Sequence, residues 1–238
     1  MSTFVLVHGS WHGAWCWETL ASFLRERGHQ VLTPDLPAHG ADQTSVAEVT
    51  LQAYADRVVK VVDSAAEPVI LVGHSMGGVV ISIVAEARPD RIRRLVYVAA
   101  FLLQDGQSLL QIGQSDRESL ILPNLRPSAD QSQATLQESA LDEIFYHDCE
   151  PHIATAAKAR LRPEPMLPVV TPIRISRENH GRIPRAYVRC GRDHAISPSA
   201  QQHMVDAMPC DPVLALDSGH SPFLSMPAKL CELLLQLA

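Results

Sequence analysis

Short apolar runs rich in β-branched residues recur at Thr3 to Val7, His29 to Thr33, Val69 to Val72, Leu95 to Ala99, Ala186 to Cys190 and Val213 to Leu216. Unbroken apolar runs of this length read as strands covered on both faces, the usual state of a parallel sheet. Between them the period changes. Leu51, Tyr54, Ala55, Val58, Val59 and Val62 fall at helical spacing and share one face. Trp17, Leu20 and Leu24 form a second such stripe, which stops at Gly28, where a glycine can take the left-handed turn that ends a helix. Alternation of strand and helix predicts right-handed β-α-β crossovers and an α/β fold, a doubly wound and mostly parallel sheet of about six strands.

The alternation breaks between Leu102 and Pro184. A connection far longer than about 15 residues is too long for an ordinary loop. Ser132 to Phe145 and Glu150 to Leu161 have helical patterns, and Pro163, Pro165, Pro168 and Pro172 mark an extended return. The expectation is a single domain with a core of residues 1–101 and 185–238 and a mostly helical cap at 102–184 covering the site.

Composition narrows the partners. Of 238 residues 46% are hydrophobic and 19% charged, enough apolar material for a large core. The formal charge of −6 and the lack of any Lys/Arg run argue against a nucleic-acid partner and favour a small, neutral or weakly polar ligand. Five cysteines stand far apart with no C-x-x-C pair, so they read as buried hydrophobes and not as a disulfide framework or zinc site. MSTFVLVHG runs straight into the first strand, and no apolar run nears the roughly 18 residues of a membrane helix, so no membrane association and a cytoplasmic location are expected. No G-x-G-x-x-G is present, which leaves no dinucleotide site, and no cofactor is expected.

The densest chemistry lies in Val69 to Val80, where a buried strand leads into Gly73-His74-Ser75-Met76-Gly77 and then an apolar helix. G-x-S-x-G between strand and helix builds a sharp turn that lifts the serine oxygen above the sheet, and glycines are required because side chains would crowd it. Ser75 is the candidate nucleophile. The Met76 amide, at the helix N-terminus, can bind an oxyanion. A second donor should come from the loop after the first strand, Val7-His8-Gly9-Ser10-Trp11-His12-Gly13, with the Ser10 amide the natural choice and Gly9 allowing close approach of substrate. His8 and His12 read as backbone braces; Trp11, Trp15 and Trp17 read as packing residues, with Trp11 a candidate for the pocket wall beside Gly9 and His74.

A serine hydroxyl needs a base poised near neutrality, and an imidazole supplies one. His220 follows the last strand and can reach Ser75. The acid that orients it follows the preceding strand as Asp193; Asp105 and Asp217 are its competitors. Asp142, Glu143, His147, Asp148, Cys149 and His152 collect metal-ligand types, but the two histidines are five apart and match no zinc pattern, so no metal site is assigned.

Taken together, Phe4 to Gly9 with His12-Gly13-Ala14-Trp15, Asp35 to Gly40, Gly73 to Gly78, Val98 to Phe101, Cys190 to Ile196 and Gly219-His220 resemble the plant methylesterase and hydroxynitrile lyase group of α/β-hydrolases and its bacterial esterase relatives. Ala159 to Pro163 in the cap is more similar to bacterial esterases, pyrethroid-cleaving ones included. The resemblance implies an α/β-hydrolase fold, a small-molecule ester substrate and the possibility of a homodimer. It also implies a choice between chemistries: the lyases of the group carry a threonine at the position of Gly9 and a lysine at that of Ser221. Both positions favour a serine carboxylesterase, working through a Ser75-His220-Asp193 triad and an acyl-enzyme, over a cyanohydrin lyase. A ligand receptor built on the same fold is the alternative outside catalysis.

Overall fold

The computed structural model describes residues 1–238. Its strands in chain order are β1 (Thr3–Val7), β2 (Gln30–Leu32), β3 (Val69–His74), β4 (Ile92–Val98), β5 (Leu125–Pro127), β6 (Gln133–Leu136), β7 (Glu164–Pro165), β8 (Arg185–Cys190) and β9 (Val213–Leu216). Its helices are α1 (Glu18–Glu26), α2 (Leu51–Ser64), α3 (Gly77–Ala87), α4 (Leu109–Ser115), α5 (Ile121–Asn124), α6 (Pro151–Lys158), α7 (Met166–Val170), α8 (Pro198–Ala207), α9 (Pro222–Ser225) and α10 (Pro227–Gln236).

Six strands form one parallel sheet in the order β2-β1-β3-β4-β8-β9. The two-residue period of a strand divides its side chains between two faces. Phe4, Leu6, Ile70, Val72, Val96 and Val98 pack with Trp17, Leu20, Leu230 and Leu234 on the face covered by α1 and α10. Val5, Val7, Leu71, Leu95 and Tyr97 pack with Tyr54, Val58, Val80 and Val84 on the face covered by α2 and α3. That double burial is why the strands read as continuous apolar runs. The strand order reverses between β1 and β3, the switch point at whose C-terminal end open α/β sheets bind ligands.

The segment between β4 and β8 differs from its expected, mostly helical form. It contains α4 to α7, but also a three-stranded antiparallel sheet ordered β5-β6-β7. Residues 133–136, inside the patch with a helical pattern, are strand β6, followed by a 3₁₀ turn at Glu138–Ala140 and a π-helical turn at Asp142–Tyr146. Ala134 and Leu136 are buried while Thr135 between them is exposed, an alternation too short to separate from a helix by pattern alone. Pro127 and Pro165 lie in the two edge strands, where the missing N–H does least harm to the ladder. No helix is long and apolar enough to cross a membrane.

Glu86, at the end of α3, ties the returning chain to the core. Its carboxylate accepts from Ser176 N (2.7 Å), Ser176 Oγ (2.8 Å), Asn179 Nδ2 (2.9 Å) and His180 N (3.3 Å). Burial pushes its pKa up, but the donors outweigh that and hold the carboxyl below its ordinary value. Glu86→Ala removes the shared acceptor and should lower stability by about 2–4 kcal/mol, with Glu86→Gln losing less. Urea unfolding at pH 7 measures the difference; equal midpoints for Glu86→Ala and the native chain would contradict it.

Candidate active site

Between β3 and α3 only Ser75 and Met76 intervene. Ser75 has φ 53°, in the left-handed region that non-glycine residues seldom occupy. The turn leaves no room for side chains beside it: a Cβ on Gly73 would lie 2.6 Å from the Gly77 carbonyl oxygen, and one on Gly77 2.6 Å from that of Val7. The Ser75 carbonyl accepts from Gly78 N and Phe101 N, both at 3.0 Å, which braces the turn from two sides. The serine itself lines a cavity with Ser10 and Trp11.

The loop after β1 meets this turn at Gly9, where a Cβ would sit 2.7 Å from that of Ser75. His8 Nδ1 donates to Gly9 O (2.8 Å) while its Nε2 accepts from Leu36 N (3.1 Å). His12 Nδ1 donates to Ser10 O (2.9 Å) and its Nε2 accepts from the Tyr146 hydroxyl (2.9 Å). The tautomers follow from the partners, since a carbonyl can only accept. Both histidines are backbone braces. Ser10 N and Met76 N, by contrast, donate no hydrogen bond within the protein.

His220 follows β9, and its Nδ1 donates to Asp193 Oδ2 at 2.8 Å. Asp193 follows β8; Oδ1 also accepts from Ala195 N (2.7 Å) and Ile196 N (2.9 Å), and Oδ2 from Gln201 Nε2 (3.1 Å). Four donors thus hold a carboxylate that is 2% exposed. The competing acids lie elsewhere. Asp217 is exposed and pairs with Arg192 (3.2 Å), and Asp105 accepts from Ile175 N (3.0 Å). No hydrogen bond joins Ser75 Oγ to His220, a contact that often closes only when substrate binds.

His74 is not on the pocket wall, contrary to expectation. It continues the Ile70, Val72 side of β3, toward the α1 and α10 face, and packs against Phe223 (4.8 Å) and Trp17 (6.2 Å between ring centroids). Its Nε2 donates to the His220 carbonyl (2.8 Å) and its ring lies 4.5 Å from that of His220. It braces the histidine loop from behind. Gly9 adjoins Ser75 without lining the cavity; Trp11 does line it.

Most of the cavity wall comes from Leu109, Ile121, Leu125, Phe145, Met166 and Val169 of the cap. The polar members from that segment are engaged: Asp116 accepts from Ser197 N and Oγ, Ser119 Oγ donates to Ala195 O, and Glu164 accepts from Trp11 N. No group of three or more His, Cys, Asp and Glu side chains is arranged to hold a metal ion.

Comparison with known proteins agrees with this architecture, because the family model described as "Alpha/beta hydrolase family" matches residues 4–233. The chain belongs to the α/β-hydrolase family. It is 32% identical to a putative chloroplastic methylesterase 11 of Arabidopsis thaliana over 99% of its own length, although it spans only 63% of that relative. Against methylesterase 7 of the same plant it is 31% identical, over 99% of this chain and 95% of the other. The solved structure of a pyrethroid hydrolase from Sphingobium faniae JZ-2 superposes with a TM-score of 0.87 at 25% identity, covering 99% of this chain and 96% of that one.

Two groups that surround the site of this α/β-hydrolase escaped the sequence. Asp148 Oδ2 accepts from Gly219 N (2.7 Å) and His147 Nε2 donates to Arg192 O (2.9 Å), so the acidic cap segment grips both loops that bear Asp193 and His220. Glu164, buried among His39, Tyr54 and the Trp11 amide, is the second. Its only sequence signal is one carboxylate in a proline-rich stretch.

The braces in this α/β-hydrolase also set its acid stability. Burial pushes His12 and His180 down to about 4 and holds His8 and His74 well below their ordinary value. Below about pH 6.5 the unfolded chain takes up protons that these folded imidazoles refuse, so stability falls as pH drops from about 6.5 toward 4. His39 opposes the trend: burial lowers it, the Glu164 carboxylate outweighs burial, and its contribution is present at low pH and lost as pH rises through its raised value. The expected net result is a urea midpoint markedly lower at pH 5 than at pH 7.5, with a shallower slope in His12→Asn; a midpoint that rises on acidification would refute it.

Proposed function

We propose that this α/β-hydrolase is a serine carboxylesterase acting on an uncharged, largely apolar small-molecule ester, with a core of residues 1–101 and 185–238 and a cap of 102–184 that shapes its pocket. The observation that carries this reading is the buried His220–Asp193 hydrogen bond of 2.8 Å on loops flanking Ser75, beside two amides without partners. Because His220 Nδ1–H donates to Asp193, the proton stays on Nδ1, and Nε2 keeps its lone pair and can accept the Ser75 proton as Oγ attacks the carbonyl carbon. The carbonyl oxygen becomes an oxyanion between Ser10 N and Met76 N. His220 then gives its proton to the leaving alcohol, and water repeats the cycle on the acyl-enzyme to release the acid.

The relatives' names support ester cleavage and differ over the substrate, a methyl ester in the plant proteins and a pyrethroid in the bacterial one. The wall supports an apolar body: it is mostly aliphatic and aromatic, and its two carboxylates are hydrogen-bonded within the protein, Asp116 to Ser197 and Glu164 to Trp11 N, His39 and Tyr54. Cyanohydrin cleavage finds little support, since the residue after His220 is the buried, uncharged Ser221 in place of the lysine expected of a lyase.

With p-nitrophenyl butyrate as substrate, Ser75→Ala should reduce turnover by on the order of a million-fold while leaving the circular dichroism spectrum intact. Activity near that of the native enzyme would remove Ser75 from the chemistry. Asp193→Asn should cost on the order of ten-thousand-fold in kcat, and Asp105→Asn or Asp217→Asn less than about five-fold. A crippled Asp105→Asn beside an active Asp193→Asn would move the acid to the other loop.

A further inference from the structure

The loop that carries the Ser10 amide is held in place from the cap. Trp11 has φ 61°, a left-handed conformation rare for a bulky residue, and therefore depends on its surroundings to stay there. Three hydrogen bonds hold it, all from the segment between β4 and β8. Trp11 N donates to Glu164 Oε2 (3.1 Å), Trp11 O accepts from Arg162 N (2.9 Å), and Trp11 Nε1 donates to Ala134 O (3.0 Å).

Glu164 is the fixed point among them. At 1% exposed, its carboxylate also accepts from the Tyr54 hydroxyl at Oε1 (3.2 Å) and from His39 Nε2 at Oε2 (2.9 Å). His39 Nδ1 faces the Pro37 carbonyl at 3.0 Å, so both ring nitrogens meet acceptors and the ring suits a protonated imidazole paired with a carboxylate. The Ser10–Trp11 peptide is thereby pinned at both ends, its carbonyl by His12 and its N–H by Glu164, while His8 pins the carbonyl of the peptide before it. What remains unpinned is Ser10 N–H, on the cavity side.

We propose that Glu164 is a positioning residue for the oxyanion site: through the Trp11 amide it holds the Ser10 donor in place, so that the site is complete only when the cap is seated. The proposal rests on Ser10 N–H being an oxyanion donor. Without the carboxylate, Trp11 N–H loses its acceptor and the Ser10–Trp11 peptide is held at its carbonyl end alone, by His12. The loss then falls on the transition state, whose oxygen carries charge, more than on the bound ester.

The test compares the native enzyme with Glu164→Ala, Glu164→Gln and Glu164→Asp. Three quantities are read: kcat and KM for p-nitrophenyl butyrate, the inhibition constant of an alkyl trifluoromethyl ketone, and the affinity of the corresponding secondary alcohol. The ketone adds to Ser75: Oγ bonds to the carbonyl carbon, its proton passes to His220, and the carbonyl oxygen becomes an oxyanion that needs the amide donors. The alcohol occupies the cavity without that charge. Glu164→Ala should lower kcat by about 10- to 100-fold and weaken the ketone by a similar factor, with KM and alcohol affinity within about three-fold. Glu164→Gln, which keeps an oxygen for Trp11 N, should restore kcat to within about five-fold of native. Glu164→Asp keeps a carboxylate in the cluster but draws its oxygen back from Trp11 N, and its kcat should fall at least about ten-fold, which decides the matter if the alanine variant does not fold. Native kcat in folded Glu164→Ala or in Glu164→Asp, or parallel loss of ketone and alcohol binding, overturns the proposal. If the native enzyme binds the alcohol but not the ketone, the serine-esterase reading with its oxyanion site fails; if it binds the ketone and Glu164→Ala binds it equally well, only the role of Glu164 falls.

Discussion

The site depends on the close approach of two backbones, where the turn from β3 into α3 crosses the loop leaving β1. β1 and β3 are neighbours in register, Val7 beside Gly73, so the two loops start from fixed points a strand spacing apart. Gly77 passes over the Val7 and His8 carbonyls, and Gly9 presses against Ser75. Such contact is open only to residues without a Cβ. Ser10 and Met76, whose amides have no acceptor within the protein, adjoin this contact in sequence, and a side chain at Gly9 or Gly77 must either separate the loops or distort the left-handed turn at Ser75.

Around that contact, one side-chain type performs two kinds of work, and the environment decides which. His8, His12 and His74 are buried with no carboxylate beside them, so desolvation keeps them neutral and each donates to a main-chain carbonyl. His220 is as deeply buried but has Asp193 on Nδ1, which leaves Nε2 free for the proton transfer proposed above. His39 also has a carboxylate partner, yet Pro37 O occupies its other nitrogen, and with no lone pair facing the cavity it cannot act as a base. Proximity to an acid is therefore not enough to mark a catalytic histidine.

The same distinction explains what the sequence disclosed. The core strands were legible because double burial writes an apolar run into each of them, and the elbow because glycines 73 and 77 and the following helix restrict what else it could be. Asp193 could be ranked above Asp105 and Asp217 because it stands three residues beyond its strand in a loop that Gly191 can bend, and the hydrogen bond to His220 singles it out. The cap was less legible. β6 pairs with residues on both sides of it in the chain, and the partner β7 lies about thirty positions away, so neither register nor strand state is written locally. His74 was misplaced because it adjoins Ser75 in sequence, whereas strand alternation turns it to the other side. Glu164 was invisible for a related reason: its significance lies in His39, Tyr54 and Trp11, each more than a hundred residues away.

These distant contacts also bear on how the cap can move. Glu164, Arg162 and Ala134 hold the loop of Ser10; His147 holds the loop of Asp193 at Arg192; Asp148 holds the loop of His220 at Gly219; and Ser119 and Asp116 bind Ala195 and Ser197. Each bond contributes roughly 1 kcal/mol, more where a carboxylate accepts, so lifting the cap as a body would break several together and cost several kcal/mol. It would also release all three loops just as substrate arrived. The arrangement therefore favours entry by local displacement of apolar wall residues, which have no hydrogen bonds to lose through their side chains, over a hinged lid. On the proposed reading, the walls that select the substrate and the ties that position the reacting groups belong to one segment, and a substitution there that changes only the wall should alter selectivity without disturbing the chemistry.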